Sequence, residues 1–249
     1  MKKIKTLFAT AFLSFIISSA HSQVLISLLL GDKLNSDKLE FGLDGGVNWL
    51  NISNTPKAKQ LFDWNLGFYF DFKLKEKLFI HTGVLVKSKM GTSGLDAYSV
   101  NNANVDSVFL GGSVDRKINY FNVPGLVRYR FYNYFHVEGG IQLGLRYTAF
   151  DNFKKTINSE DDLTFKYDTK DNYARLDAGG VAGLGYRFSK GKGMTLTVKY
   201  YYGFVDIDKV TSGSQYNSAL YINASIPIGK GKAEKKAKEK EAEESQQKK

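Results

Sequence analysis

The chain contains no cysteine. That excludes a disulfide framework, a thiol nucleophile, a thiolate metal site and a lipoprotein anchor together. Histidine is nearly as scarce, three residues in all, so imidazole chemistry has few places to reside. Proline is limited to three. Past the first two dozen residues no apolar run reaches the length of a spanning helix, about 20 residues. Charge of one sign is also missing as a block. The formal charge is +10, but the basic residues make no aromatic-interleaved stripe, which argues against nucleic acid as a partner. What is abundant is glycine, 24 residues, with 18 Phe and 15 Tyr. Glycine and aromatics together favour β-hairpins with aromatic girdles over helices.

The opening segment reads as an export signal. Lys2, Lys3 and Lys5 form a basic start, residues 6–17 an apolar stretch, and Ala20-His21-Ser22 a peptidase site, so cleavage is expected before Gln23. Export without a later apolar helix leaves a barrel as the way to span a membrane.

Period-2 alternation recurs along the rest of the chain. In DWNLGFYFDF, Trp64, Leu66, Phe68, Phe70 and Phe72 share one face, and Asp63, Asn65, Gly67, Tyr69 and Asp71 the other. LEFGLDGGVNW, YFHVEGGIQLGLRYTAF and GMTLTVKYYYGF alternate in the same way, and weaker runs cover 77–89, 118–131, 173–188 and 215–228. A soluble sandwich also alternates. Here, however, the apolar faces end in aromatics such as Phe70, Phe72, Phe131, Phe135, Tyr186 and Phe188, while the opposite faces carry glycines and charges of both signs. A narrow lumen needs such a face. Three connections are tight (KLKEK, YNY, SKGKG), and the links at 51–60, 90–117, 151–172 and 206–214 are longer and polar. Short turns alternating with long loops are the pattern of a transmembrane barrel, with short turns on the periplasmic side. The expected fold is therefore all-β, an eight-stranded antiparallel up-and-down transmembrane barrel. Its divisions are a signal peptide (1–22), a periplasmic N-terminal segment (23–38), the outer-membrane barrel (39–228) and a Lys/Glu-rich periplasmic tail (229–249).

LEFGLDGGVNW, INYFNVPGLVRYRF with Pro124 in mid-strand, FHVEGGIQLGLRY, VAGLGYRF and VKYYYGFVDI together resemble the PorT-like, or porin-family, outer-membrane β-barrel proteins of Gram-negative bacteria. The resemblance spans about Leu39 to Ile228. A well-known relative is part of a type IX secretion and gliding system, so it implies a structural or assembly role in the envelope. It also implies outer-membrane location, lipid and lipopolysaccharide as surroundings, and periplasmic envelope or secretion proteins as partners. The Lys/Glu tail departs from the aromatic ending common in such barrels.

By parity, Glu40, Asp44, Glu138, Asp177, Lys87, Arg128, Arg130, Arg146, Arg175, Arg187 and Lys199 point inward. Eight strands enclose a space that side chains fill, so these residues are expected to form a lumen ion-pair network in a monomer. A narrow channel or a small-solute-binding barrel is the alternative. His81 and His136 have no serine at motif distance, so no catalytic site is expected and the protein is read as no enzyme. Asp151, Glu160, Asp161, Asp162 and Asp168 lack the spacing of a calcium loop and read as a solvated acidic loop. No metal or other cofactor is expected. The apolar run 24–30 and the charged tail are the segments open to docking.

Overall fold

The computed structural model describes residues 34–157, 161–211 and 213–229. The expected signal peptide, the apolar run 24–30 and the tail beyond 229 lie outside the described residues. The chain divides into two compact units. The smaller draws its described residues from 34–42 and 227–229. In it the Asn35 side chain accepts from the Phe41 N–H (3.0 Å) and donates to the Ile228 carbonyl (2.7 Å). The Ile228 N–H in turn donates to the Phe41 carbonyl.

The larger unit, Leu43–Ile226, is the barrel. The strands of the described residues are β1 (Leu39–Ile52), β2 (Leu61–Lys73), β3 (Leu78–Asp96), β4 (Ser113–Arg130), β5 (Phe135–Ile157), β6 (Asp161–Asp168), β7 (Leu176–Arg187), β8 (Thr195–Gly203) and β9 (Asn217–Pro227). Each of eight pairs with its sequence neighbour, β9 pairs with β1, and β4–β5 pairing completes the ring. Closure removes the edges of the eight-stranded ring, which is what lets a sheet cross lipid. The ninth strand, β6, lies on the far half of β5: residues Phe135–Leu145 pair with β7 and Phe150–Ile157 with β6.

The outward faces carry the apolar belt. Val123, Val127, Val137, Ile141, Leu143, Leu184 and Val198 all point away from the barrel and are exposed. An aromatic girdle bounds it at each end. On the short-turn side Phe131–Phe135, Phe135–Tyr186 and Tyr186–Phe188 rings stand 6.2, 4.9 and 5.2 Å apart. On the long-link side Trp49–Phe62, Phe121–Tyr147 and Tyr202–Tyr216 do so at 5.4, 4.7 and 6.4 Å. Amphipathic rings at both interfaces set the depth of the barrel in a bilayer.

Two of the long links are more ordered than their polarity suggested. A tilted strand needs about ten residues to span, yet β3, β4 and β5 have 19, 18 and 23. Their extra length, with β6 and the helix α1 (Ala103–Phe109), builds a small head beyond the membrane. Leu95, Phe109, Val114 and Phe153 form its own core, with Val105, Phe165 and Tyr167 packed against it. Asp151, expected in a solvated loop, is fully buried there. It receives Arg116 through two parallel bonds (3.1 and 2.9 Å) and the Tyr98 hydroxyl at 2.9 Å. Burial and that neighbouring carboxylate hold the Tyr98 hydroxyl protonated well above its usual range. Asp168 is exposed. Glu160 and the side chains of Asp161 and Asp162 fall outside the described residues.

The helix is too short to stand on propensity alone, so its N-cap matters. Asn102 Oδ1 accepts from the backbone of Asn104 and Val105. Asn102→Ala is expected to cost the head about 1 kcal/mol, read as faster amide exchange over 103–109 with the barrel strands unchanged.

Candidate functional site

The alternation that puts apolar groups on lipid puts polar ones in the lumen, and ring closure then brings distant strands together. Near the short-turn end Arg128 of β4 meets Glu138 of β5 (Nε–Oε2 2.8 Å) and Asp71 of β2 (Nη1–Oδ2 2.8 Å). The second Asp71 oxygen contacts His81 Nδ1 of β3 at 2.6 Å. All four side chains are buried. Alongside, Asp44 of β1 accepts from Ser225 and Asn223 of β9 at 3.0 Å each, with Lys199 Nζ of β8 at 3.8 Å. Asn223 and Asn65 exchange amide hydrogen bonds. Further out, Asp177 accepts from Asn217 at 2.8 Å, beside Tyr120 and Tyr201.

Glycine makes room for these groups. A methyl at Gly185 would collide with the His136 ring, and one at Gly179 with the ring of Tyr201. The outer part of the lumen is apolar. Leu50, Ile52, Met90 and Ile118 are fully buried in one cluster with Tyr173 and Ile207. Ile207 comes from the β8–β9 link, held by Ala174 N–H to the Ile207 carbonyl (2.8 Å) and Ile207 N–H to the Gln215 carbonyl (2.9 Å). The interior therefore grades from ion pairs through tyrosines and amides to a hydrocarbon stopper.

Of the expected inward charges, the structure brings Arg128 to Glu138 and Lys199 towards Asp44. Glu40 is buried, on the Asp44-bearing face of β1. Arg187 is buried opposite Thr195. Arg146 points inward but spends its Nε on the Ala174 carbonyl (3.1 Å) rather than on a carboxylate. Arg130, at the end of β4, is half-buried with its guanidinium 4.1 Å over the buried Phe79 ring, within electrostatic reach of Asp71 and His136. Two placements need correction. Arg175 is exposed: it precedes β7, which starts at Leu176, although its carbonyl still accepts from the Arg146 N–H at 2.8 Å. Lys87 faces outward, because the register shift between Leu85 and Ser88 inserts an extra residue and exchanges the faces beyond it. Its ammonium lies 3.3 Å from the centre of the Trp64 ring.

Asp71 was on the polar face read from DWNLGFYFDF, yet only ring closure shows that it completes the Arg128 site. The lumen tyrosines Tyr69, Tyr120, Tyr201 and Tyr221, all fully buried, were legible only as parity. The two imidazoles do not make a relay. His136 Nε2 is the nitrogen near both Thr197 Oγ1 (3.4 Å) and Glu138 Oε2 (3.7 Å). A nucleophile–base–carboxylate triad needs opposite ring nitrogens engaged. Among the described residues no group of three or more His, Asp and Glu is placed to hold a metal ion. The head carries a small cleft of about 110 Å³, lined by Ala97, Tyr98, Val105, Phe109, Leu110 and Phe153 among others.

Comparison with known proteins adds a family. The family model described as "Outer membrane protein beta-barrel domain" matches residues 32–209. No curated protein matches. Among solved structures, Ail, the attachment invasion locus protein of Yersinia pestis, is 12% identical with a TM-score of 0.43. The match covers 78% of this chain and all of that one. Neisserial surface protein A is 9% identical with a TM-score of 0.41, covering 76% of this chain and 97% of its own.

Proposed function

Since the chain belongs to the outer membrane protein beta-barrel domain family, we propose that it is a sealed, non-enzymatic outer-membrane barrel. In this reading it serves as a structural or assembly component of the envelope, with the head as its external surface. The observation that carries this reading is the filling of the lumen. The largest fully buried side chains include Arg128, Arg187, Tyr69, Tyr120, Tyr201 and Tyr221, all on inward faces of the ring strands. Hydrated ions need a continuous polar path, and the stopper around Ile207 interrupts it with hydrocarbon. The buried imidazoles and carboxylates lie inside the lumen, away from the lipid-facing surface where a lipid substrate would arrive. An assembly role of the secretion kind draws support from the resemblance to PorT-like barrels and from a lumen filled with large buried side chains.

Planar-bilayer recording tests the reading. Purified protein is expected to leave the membrane as resistive as lipid alone across ±100 mV. Reproducible unit steps of general-porin size would overturn it in favour of a channel.

A further inference from the structure

Just beyond the outer aromatic girdle, the outward face of β3–β6 is dense in lysine. Register places Lys89 opposite Asn119, Lys117 opposite both Gly91 and Phe150, Lys154 opposite Ser113, and Lys166 opposite Asn152. The bulge in β3 adds Lys87 to this face. Phe121 and Tyr147, stacked at 4.7 Å, lie on its membrane side. Below them Val123, Leu143 and Leu145 continue the lipid-facing belt. The lysine band and the acyl-chain surface are thus one continuous wall.

The cations are held in place. Lys87, Lys89, Lys117 and Lys154 are half-buried along their stems, and Lys87 and Lys166 rest on the Trp64 and Phe150 rings at 3.3 and 3.9 Å. Two carboxylates answer them: Asp63 takes Lys89 (2.7 Å) and Asp115 takes Lys154 (2.6 Å). Lys117 lies between those two pairs, within electrostatic reach of both. A third carboxylate, Asp168, opposite Phe150, accepts from the backbone N–H of Lys170 (2.8 Å). Neutralising Asp63, Asp115 and Asp168 would take three lysines, and five are present. The inner face of the same strands is different, with Arg116 matched to Asp151 and apolar groups around them. Excess positive charge is thereby confined to the lipid side of the wall.

We infer that Lys87, Lys89, Lys117, Lys154 and Lys166 form a docking face for the phosphate groups of an outer-leaflet glycolipid, whose acyl chains lie along the belt below. The inference rests on the placement of the long-link end outside. Depth supports it, since lipid phosphates sit at the interface that the aromatic girdle marks, and each nearby lysine adds attraction to an anionic surface. Continuity with the apolar belt selects a lipid phosphate over a free one, which has no use for that belt.

The test uses purified, folded protein in mild detergent with bisphosphorylated lipid A, the dephosphorylated lipid, or inorganic phosphate. Retained lipid is counted by native mass spectrometry, and lysines are footprinted by acetylation. The bisphosphorylated lipid is expected to be retained about tenfold better than the dephosphorylated one. It is also expected to protect Lys89 and Lys117 while leaving Lys75 and Lys77, in the β2–β3 turn, unchanged. Replacing Lys87, Lys117 and Lys166 by glutamine keeps the stems and is expected to cut that preference to about twofold or less, with folding checked by the gel shift on boiling. Should the triple variant fail to fold, the wild-type footprint decides alone. Equal retention of the two lipids by wild type, unchanged preference in the folded variant, or equal protection by inorganic phosphate would overturn the inference.

Discussion

Arg128→Ala is expected to destabilise the folded barrel by about 3–5 kcal/mol. The magnitude follows from what is left behind. Arg128 is the shared cation of two buried carboxylates, Asp71 and Glu138, each at 2.8 Å or less. Truncation strands both at a depth that bulk water does not reach, beside two imidazoles, His81 at 2.6 Å from Asp71 and His136 at 3.7 Å from Glu138. Asp96→Ala, at the outer end of β3, breaks the solvent-exposed ion pair between Lys57 and Asp96. Its cost should be about 1 kcal/mol or less, as for exposed ion pairs generally. Urea unfolding in lipid vesicles, followed by the gel shift on boiling, measures both. Equal losses for the two variants would mean that the Arg128 site is not sealed from solvent.

Ile141→Arg is the second large effect, about 2–4 kcal/mol. On β5 the outward residues run from Phe135 in one girdle to Tyr147 in the other, and Ile141 lies midway, outward and exposed. A guanidinium there meets hydrocarbon with little reach to either interface. Tyr147→Arg, at the outer girdle, should cost no more than about 1 kcal/mol, since depth rather than exposure sets the penalty. The same unfolding assay applies. A soluble sandwich would show no such gradient, because its exposed face is already in water.

The ring was legible because alternation in DWNLGFYFDF and its counterparts needs only side-chain parity, which local sequence carries. The breaks in parity were not. Lys87 is outward because β3 gains a residue opposite Phe121, and Tyr147 is likewise the extra residue where Asn119 pairs with Thr148 but Tyr120 with Arg146. A bulge has no strong composition signal, so everything beyond it is read on the wrong face. The head was missed for a related reason. Phe153, Phe165 and Tyr167 alternate with lysines, threonines and aspartates, and their short apolar stripe was outweighed by the polar one. Composition announced an ion-paired lumen, yet which carboxylate meets which cation depends on register across strands far apart in sequence. Asp71 reaches Arg128 across 57 positions. The hydrocarbon stopper is less visible still, since Ile207 sits in a link that reads as polar.

The absence of cysteine makes the central claim, a lumen closed to solvent along its length, directly measurable. Ser88 lies in the lumen, fully buried, its hydroxyl accepting from Asn122 at 2.8 Å, and cysteine at that position is close to isosteric. Ser99, exposed on the head, provides the open control. In folded protein in lipid vesicles, small charged methanethiosulfonate reagents are expected to label Ser99→Cys completely and Ser88→Cys only after boiling. Rapid labelling of Ser88→Cys in the folded state would show a water-filled path through the barrel and contradict the account.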